Sequence, residues 1–216
     1  SPQEENYKEM TKDDIYKKLL SSNKFETAKG EFNEHYEYAN GEAQTFNIQY
    51  VLSGDSIVGG YAIESFVEDN SEVVNTTYYK EDKMWNLDSI SKTYREIKYK
   101  GSPPIARSSL FPREITLNYL KEFSNWEIEN QNEEVLNHNI IVIKGVLNEY
   151  ASEKQSSNTF RFWIDKDTGI LLKYETYNNN NEVVNYLHTK ELHINIPIDT
   201  KLFTPKLDGY EKRDIP

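Results

Sequence analysis

The C-terminal run of residues 159–205 constrains the fold more than any other stretch of the chain. Its first seven residues alternate in character, as a pleated strand with one buried face requires. The residues predicted to share the apolar face of this strand are Phe160, Phe162 and Ile164. The run therefore begins with a strand whose aromatic side is predicted to be covered.

Two turn sequences follow this strand. Residues 166–169, Lys-Asp-Thr-Gly, predict a reversal because Asp hydrogen-bonds its own downstream backbone and Gly169 adopts positive φ without steric cost. The four asparagines 178–181 predict a second reversal, since asparagine accepts left-handed conformations readily. The run therefore predicts an antiparallel meander with strands at 159–165, 170–177 and 182–195.

The remainder of the chain predicts more strands than helices. A short amphipathic helix is expected over residues 11–22, where Thr11 can cap the first turn. A second helix is expected over 111–126, because apolar residues recur there at spacings of three and four. The segment 149–158 is polar and is expected to be a loop. Further strands are predicted at 24–38, 43–53, 56–68, 71–79, 83–98 and 135–147.

These elements predict an α+β, mostly β chain. The strands are expected to form a single large curved antiparallel sheet, a half-barrel, with helices covering its concave face. Residues 1–10 are predicted to be a flexible N-terminal segment, residues 11–205 one domain, and residues 206–216 a tail. A length of 216 residues suits one domain of this kind.

Composition limits the classes of partner and cofactor. A net charge of −11 argues against a broad surface for nucleic acid, which is a polyanion. The absence of cysteine excludes disulfides, thiolate zinc sites and cysteine nucleophiles. No apolar run approaches the roughly 20 residues that span a bilayer. We predict no cofactor.

Motifs for metal binding and catalysis are weak. Asp165, Asp167 and Gly169 imitate the opening of a calcium loop, but the glycine falls at position 5 and position 12 is Thr176 rather than glutamate. A turn is therefore favoured over a metal site. Gly59 and Gly60 predict a bulge or bend rather than a phosphate loop, because no helix follows them. Nothing in the sequence predicts an enzyme.

The C-terminal run resembles a known family. Residues 162–175, FWIDKDTGILLKYE, the Val-Val pair at 183–184 and the closing 198–203, IDTKLF, are similar to the meander of the LolA, LolB and RseB/MucB superfamily. Residues 83–87, KMWNL, resemble a strand that these proteins place in mid-sheet. The resemblance implies a half-barrel closed by helices around an apolar cavity, which takes an acyl chain in some members. The acidic, Asn-rich composition resembles an exported lipoprotein of a Gram-positive bacterium.

The apolar residues on the predicted strands have two possible roles. The residues pack as core beneath the helices, or they line a cavity that the helices leave open for a lipid or acyl chain. The second interpretation rests on the resemblance. The candidate ligand-binding residues are Phe46, Ile48, Tyr50, Trp85, Leu87, Phe160, Phe162, Ile164, Leu172 and Tyr174.

We therefore predict a non-catalytic extracytoplasmic binding protein of the lipoprotein type. It is expected to bind a hydrophobic ligand in a half-barrel cavity and to lie at the bacterial cell membrane through a lipid anchor N-terminal to Ser1. The alternative is an envelope-stress regulatory module that contacts a membrane anti-sigma factor or another envelope protein. A membrane-peripheral location and no nucleic acid are common to both predictions.

Overall fold

The computed structural model describes residues 9–54 and 58–214. The predicted flexible segment 1–10 therefore lies largely outside the described residues. Twelve strands form one open sheet in the order β12-β6-β5-β4-β3-β2-β1-β11-β10-β9-β8-β7. The strands are Thr27–Glu37 (β1), Ala43–Ser53 (β2), Gly59–Glu68 (β3), Ser71–Lys80 (β4), Lys83–Asp88 (β5), Thr93–Lys98 (β6), Trp126–Val135 (β7), His138–Val146 (β8), Thr159–Asp165 (β9), Leu171–Tyr177 (β10), Val183–Ile194 (β11) and Glu211–Lys212 (β12).

Pairing in the sheet is antiparallel from β2 to β6 and from β7 to β11, whereas β12 pairs in parallel with β6. The prediction of a mostly β chain with one large, open antiparallel sheet and few helices is confirmed. In the described ranges, no helix is long and apolar enough to cross a membrane.

The chain divides into two compact units. Unit 1 comprises residues 1–24, 34–43 and 108–188, and unit 2 comprises residues 25–33, 44–107 and 189–216. The strands β1 and β11 each contribute residues to both units. A single domain over 11–205 stays a prediction, and the two units are described separately.

Unit 1 begins with helix α1, Lys12–Leu20, close to the predicted bounds. A capping box starts it: the Asp14 backbone N–H donates to the Thr11 hydroxyl at 3.1 Å, and the Asp14 carboxylate accepts from the Thr11 N–H at 3.1 Å. Ile15 and Leu19 are buried along the apolar stripe. The sequence predicts this helix well because the capping residue, the acidic first turn and the spacing of the apolar residues all indicate a helix at the same position.

The predicted helix over 111–126 is wrong in extent. The structure has two short helices, α2 at Arg107–Leu110 and α3 at Arg113–Leu120, then a 3₁₀ turn at Phe123–Asn125. Pro112 separates the helices, because its ring fixes φ and it has no N–H to continue the ladder. The chain is already in β7 at Trp126, whose indole N–H donates to the Leu120 carbonyl at 3.0 Å.

The predicted loop over 149–158 is also wrong, since it contains helix α4, Glu149–Gln155. The Asn148 side chain caps it by accepting from the Ala151 N–H at 2.8 Å, and Ala151 is buried. A single short helix with one buried residue leaves almost no periodic signal in sequence.

Strands β2 to β6 of unit 2 pair antiparallel, β12 pairs in parallel with β6, and a 3₁₀ turn lies at Thr200–Phe203. Of the bulge or bend predicted at Gly59 and Gly60, the bulge is wrong, because both residues stay in register with β2 and β4. The absence of side chains at the two glycines instead lets neighbouring atoms approach the backbone closely. A Cβ on Gly59 would lie 2.6 Å from the ring of buried Phe203, and one on Gly60 would lie 2.5 Å from the Val51 carbonyl oxygen.

The predicted tail 206–216 contains an ordered element in unit 2. Glu211 and Lys212 form β12, in register with Thr93 and Tyr94 of β6. Gly209, at φ +84°, turns the chain into this strand. Two residues are too few to show alternation, so this strand has no signal in sequence.

Candidate ligand-binding site

Strand register in unit 2 divides the predicted ligand-binding residues between two faces of the sheet. Cross-strand partners share a face, and Tyr50 is in register with Ala62, Thr77 and Asn86. Ile48 and Phe46 precede Tyr50 at intervals of two and lie on the same face. Leu87 is in register with Thr76, Ile63 and Gln49, which places Leu87 and Trp85 on the opposite face.

The face that carries Tyr50 is rich in aromatic residues. The rings of Phe46 and Phe66 lie 5.1 Å apart, and those of Phe32 and Tyr50 lie 5.9 Å apart. We call these four residues, together with Ile48, the aromatic face of unit 2. Phe32, Ile48 and Tyr50 are buried, whereas Phe46 and Phe66 are only half-buried.

Tyr50 is an unusual member of the aromatic face. It is only 2% exposed, its hydroxyl has no hydrogen-bond partner, and burial raises the pKa of Tyr50 above its ordinary value. The ring lies over Gly30, where an added Cβ would be 2.6 Å from the Tyr50 hydroxyl oxygen. A buried hydroxyl without a partner has lost its hydration, so the Tyr50 hydroxyl makes no compensating contribution to stability.

A polar row crosses the strands beside the aromatic face. Glu64 is in register with Ile48 on one side and with Asn75 on the other, and Asn75 is in register with Asp88. The side chains of Glu64, Asn75 and Asp88 line a pocket of about 340 Å³ in unit 2. The buried Asn75 Oδ1 atom has no hydrogen-bond partner. The aromatic face therefore borders a hydrophilic pocket.

The five predicted residues in unit 1 are all buried. Phe160, Phe162, Ile164, Leu172 and Tyr174 are at most 5% exposed. Helix α3 covers two of them through Tyr119, whose ring lies 5.2 Å from that of Phe160 and 5.9 Å from that of Phe162. In unit 1 these five residues are core.

A buried carboxyl group lies in unit 1 and has no signal in sequence. Glu34 on β1 accepts hydrogen bonds from the hydroxyls of Ser108 and Tyr36. Burial raises the pKa of Glu34 above its usual range. Sequence reasoning missed this group because Glu34 is one of 36 acidic residues and its burial depends on α2, far away in sequence.

The Asp-x-Asp-x-Gly sequence forms the predicted turn. The Asp165 carboxylate accepts from the Asp167 N–H at 3.0 Å and from the Thr168 hydroxyl at 2.9 Å. Helix α1 packs directly on this turn, since an added Cβ on Gly169 would lie 2.5 Å from the Lys18 carbonyl oxygen. The Lys24 ammonium bridges helix and turn by donating to the carbonyls of Leu19 at 3.2 Å and Gly169 at 2.9 Å. Burial lowers the pKa of Lys24 to about 7.

The histidines of unit 1 have different surroundings. His138 lies 3.5 Å from the Asp165 carboxylate, whereas the rings of His35 and His188 both stack against the ring of Tyr186. Among residues 9–54 and 58–214, no group of three or more His, Cys, Asp or Glu side chains could hold a metal ion.

Comparison with known proteins bears on the fold. The family model of the MucB/RseB N-terminal domain matches residues 152–207, which is less than half of the chain. A comparison with curated proteins finds no sequence match.

Three solved structures are similar over nearly the whole chain. An uncharacterized conserved protein from Thermus thermophilus is 10% identical with a TM-score of 0.51, covering 93% of this chain and 98% of its own. MucB in complex with MucA(peri) is 12% identical with a TM-score of 0.52, covering 95% and 63%. The Pseudomonas aeruginosa MucA/MucB complex is 13% identical with a TM-score of 0.51, covering 90% and 61%.

The chain thus spans less than two thirds of MucB, and at these identities the likeness concerns the fold. The family model matches the same C-terminal meander on which the sequence resemblance rests. The chain therefore has a fold similar to that of MucB, with its sequence match to the MucB/RseB N-terminal domain in the meander.

Proposed function

We propose that this protein is a non-catalytic, extracytoplasmic binding protein that holds the acyl chain of a lipid or lipoprotein against the aromatic face of unit 2. One observation carries the proposal. The half-buried rings of Phe46 and Phe66 pair at 5.1 Å beside fully buried Ile48 and Tyr50. This face is partly exposed, whereas the matching residues of unit 1 are covered by a helix.

The energetics favour an apolar ligand. Fully burying an exposed phenylalanine side chain contributes about 1.5–3 kcal/mol, so completing the burial of two rings that are already mostly buried contributes less than that. Each methylene of an acyl chain adds about 0.8 kcal/mol when it is buried. A long chain lying on the aromatic face would therefore bind without any charged contact.

Relatives support the same class of function. The fold is LolA/RseB-like, and proteins of this class act outside the cytoplasm as carriers or sensors. A lipid anchor N-terminal to Ser1 would place the protein at the membrane, where acyl chains are available. This location and the Gram-positive lipoprotein type are parts of the proposal.

The proposal is tested by titrating the purified protein with a dansyl-labelled C11 fatty acid and following its fluorescence. Phe66→Ser on the aromatic face should weaken binding about tenfold, as loss of one ring contact predicts. Tyr78→Ser is the matched control. Tyr78 lies on the neighbouring strand, is also half-buried and faces the opposite side, where its ring lies 6.3 Å from that of Tyr61.

The two variants separate specific binding from surface adsorption. Unchanged binding in Tyr78→Ser with weakened binding in Phe66→Ser supports the proposal. Equal losses in both variants, or no binding by the wild type, would contradict it. Native mass spectrometry of protein purified from its own host gives a second readout, in which a retained lipid adds a defined mass.

The second candidate function is an envelope-stress module that binds a protein partner. The observation that favours it is the similarity to two structures of MucB in complex with MucA. A pull-down from host membranes should then recover one stoichiometric envelope protein. Recovery of lipid without any such protein would count against this candidate.

A further inference from the structure

The pocket of about 340 Å³ in unit 2, which we call the polar pocket, lies on the same side of the sheet as the aromatic face. Phe66 and Glu64 are two residues apart on β3, so their side chains point to the same side. Glu64 is in register with Asn75 on β4, and Asn75 is in register with Asp88 on β5. An extended ligand on the aromatic face can therefore continue into the polar pocket without leaving this side of the sheet.

The end of the polar pocket next to the aromatic face carries hydrogen-bond acceptors. Among the described residues, the buried Asn75 Oδ1 atom has no hydrogen-bond partner, and Glu64 lies directly opposite Asn75. Asn75 as a whole is only partly buried and lines the pocket, so rotation of its amide group presents this oxygen to a ligand. A ligand donor restores the hydrogen bond that burial has removed. Beside a carboxylate, the matching donor is an ammonium group, which has three N–H donors and a positive charge.

The centre of the polar pocket is largely satisfied by internal hydrogen bonds. The Thr77 hydroxyl donates to the Asn86 Oδ1 atom at 3.1 Å. The Asp88 Oδ1 atom accepts from the Ile90 N–H at 2.8 Å and from the Ser91 N–H at 3.3 Å, in the turn between β5 and β6. The centre is therefore less suited to a charged ligand group than the two ends are.

The far end of the polar pocket carries two arginines. Arg95 on β6 is in register with Asn86, and the Arg213 N–H donates to the Tyr94 carbonyl at 2.8 Å, which brings Arg213 beside Arg95. Both side chains are exposed and line the pocket, and in the part of the chain that the structure describes neither forms an ion pair. Two guanidinium groups without an acidic partner attract an anion, and the fork of a guanidinium matches a carboxylate in a bidentate arrangement.

We propose, on the basis of the acyl-binding function above, that the ligand is an acylated amphiphile with an amino-acid head group, which carries an ammonium and a carboxylate. Its acyl chain lies on the aromatic face, its ammonium binds beside Glu64 and Asn75, and its carboxylate binds Arg95 and Arg213. Such a head group has no net charge, which matches the two acidic residues and two arginines that line the pocket. The net charge of −11 disfavours a head group that is only anionic.

The acyl chain and the head group contribute differently to binding. Burial of the chain supplies most of the affinity, because apolar burial increases with each methylene. The arginines are exposed, so each of their ion pairs contributes little. The head group therefore selects among ligands that have the same chain, and a several-fold preference is expected.

Competition among ligands with one chain and different head groups tests this assignment on the full chain. The dansyl-labelled C11 fatty acid is bound first and is then displaced by Nε-octanoyl-lysine, which is zwitterionic. Its amide keeps only the ammonium, and its Nα-acetyl form keeps only the carboxylate. The zwitterion should displace the probe at a concentration about fivefold lower than either analogue requires. Nε-acetyl-lysine, which has the same head group without the long chain, should displace it poorly.

Variants assign each charge to its end of the pocket. Glu64→Gln should remove the preference for the zwitterion over the Nα-acetyl form. Arg95→Gln with Arg213→Gln should remove its preference over the amide. Glu72→Gln is the control and should keep both preferences, because Glu72 is exposed and, three residues from Asn75 on β4, points to the opposite side of the sheet.

The outcomes separate this proposal from the acyl-binding function on which it rests. Binding of the fatty acid with equal displacement by the three octanoyl ligands would overturn the head-group assignment and leave acyl binding intact. Displacement by Nε-acetyl-lysine as effective as that by the octanoyl form would also overturn it, as would equal losses of preference in Glu72→Gln and Glu64→Gln. No binding of the fatty acid would overturn both proposals.

Discussion

The two units build the same alternating apolar pattern and use it differently. In unit 1 the aromatic residues of β9 and β10 lie under Tyr119 of α3 and are almost completely buried. In the described part of unit 2, the only helical element that lies wholly within the unit is the 3₁₀ turn at 200–203, and Phe46 and Phe66 stay half-buried. A helix packed on the strands makes such a face a core, whereas the partly exposed rings of Phe46 and Phe66 leave a candidate binding surface in unit 2.

Truncation of one aromatic ring in each unit tests this difference in burial most directly. Phe162→Ala should lower the free energy of unfolding by about 3–5 kcal/mol, because Phe162 is fully buried and contacts Tyr119 and Tyr174. Phe66→Ala should cost about 1 kcal/mol, because its ring is only partly buried. Urea unfolding of the two variants measures both, and equal losses would contradict the division into core and site.

A smaller effect is expected where α1 meets the turn after β9. Gly169→Ala should destabilise the protein by about 3 kcal/mol, since Gly169 has φ +76° and an added Cβ would lie 2.5 Å from the Lys18 carbonyl oxygen. Gly41→Ala is the control. Gly41 has φ +85° but no atom within 4 Å of an added Cβ, so it should cost only about 1 kcal/mol. Equal melting temperatures for both variants would refute the tight helix contact.

Two tyrosine hydroxyls, one in each unit, are expected to differ in their contribution to stability. Tyr36→Phe in unit 1 removes a hydroxyl that donates to buried Glu34 and should cost about 1–3 kcal/mol. Tyr50→Phe in unit 2 removes a buried hydroxyl that has no hydrogen-bond partner, so stability should stay within about 0.5 kcal/mol or rise. Thermal unfolding compares them, and a larger loss in Tyr50→Phe would show that its hydroxyl has a partner.

The smallest effect concerns pH. The pKa of Lys24 falls from 10.5 to about 7 on folding, so the unfolded chain binds more protons between these values. The contribution of Lys24 to stability is therefore fully present above pH 10.5 and is lost progressively as the pH falls from 10.5 to about 7. Lys24→Met should be more favourable relative to wild type at pH 6.5 than at pH 9.5. A difference that does not change with pH in urea titrations would contradict this account.

Local signals explain which parts of the fold could be predicted from sequence. The meander was predictable because its turns carry Asp, Gly and Asn at the reversal points, and α1 because its cap lies next to an apolar stripe. Strand β7 was missed because two register shifts interrupt its alternation. Strand β12 depends entirely on its partner β6, which no local pattern reveals.

The candidate site was predictable only in part. Alternation within β2 correctly grouped Phe46, Ile48 and Tyr50, but it could not show that Trp85 and Leu87 face the other way, because that depends on register across three hairpins. Phe66 was missed since it belongs to the same face only through its pairing with β2. Cover by α3, which makes the unit 1 residues core, is a tertiary contact without a local sequence pattern.

A hydrophobic ligand is expected to lie on the aromatic face of unit 2. The most direct measurement is NMR with a stearate that carries a nitroxide spin label near its end. We expect the spin label to broaden the resonances of Phe46, Ile48, Tyr50 and Phe66 and to leave those of Tyr61 and Tyr78 unaffected. Broadening confined to Tyr61 and Tyr78, or to the core residues of unit 1, or no broadening at saturating ligand, would contradict it.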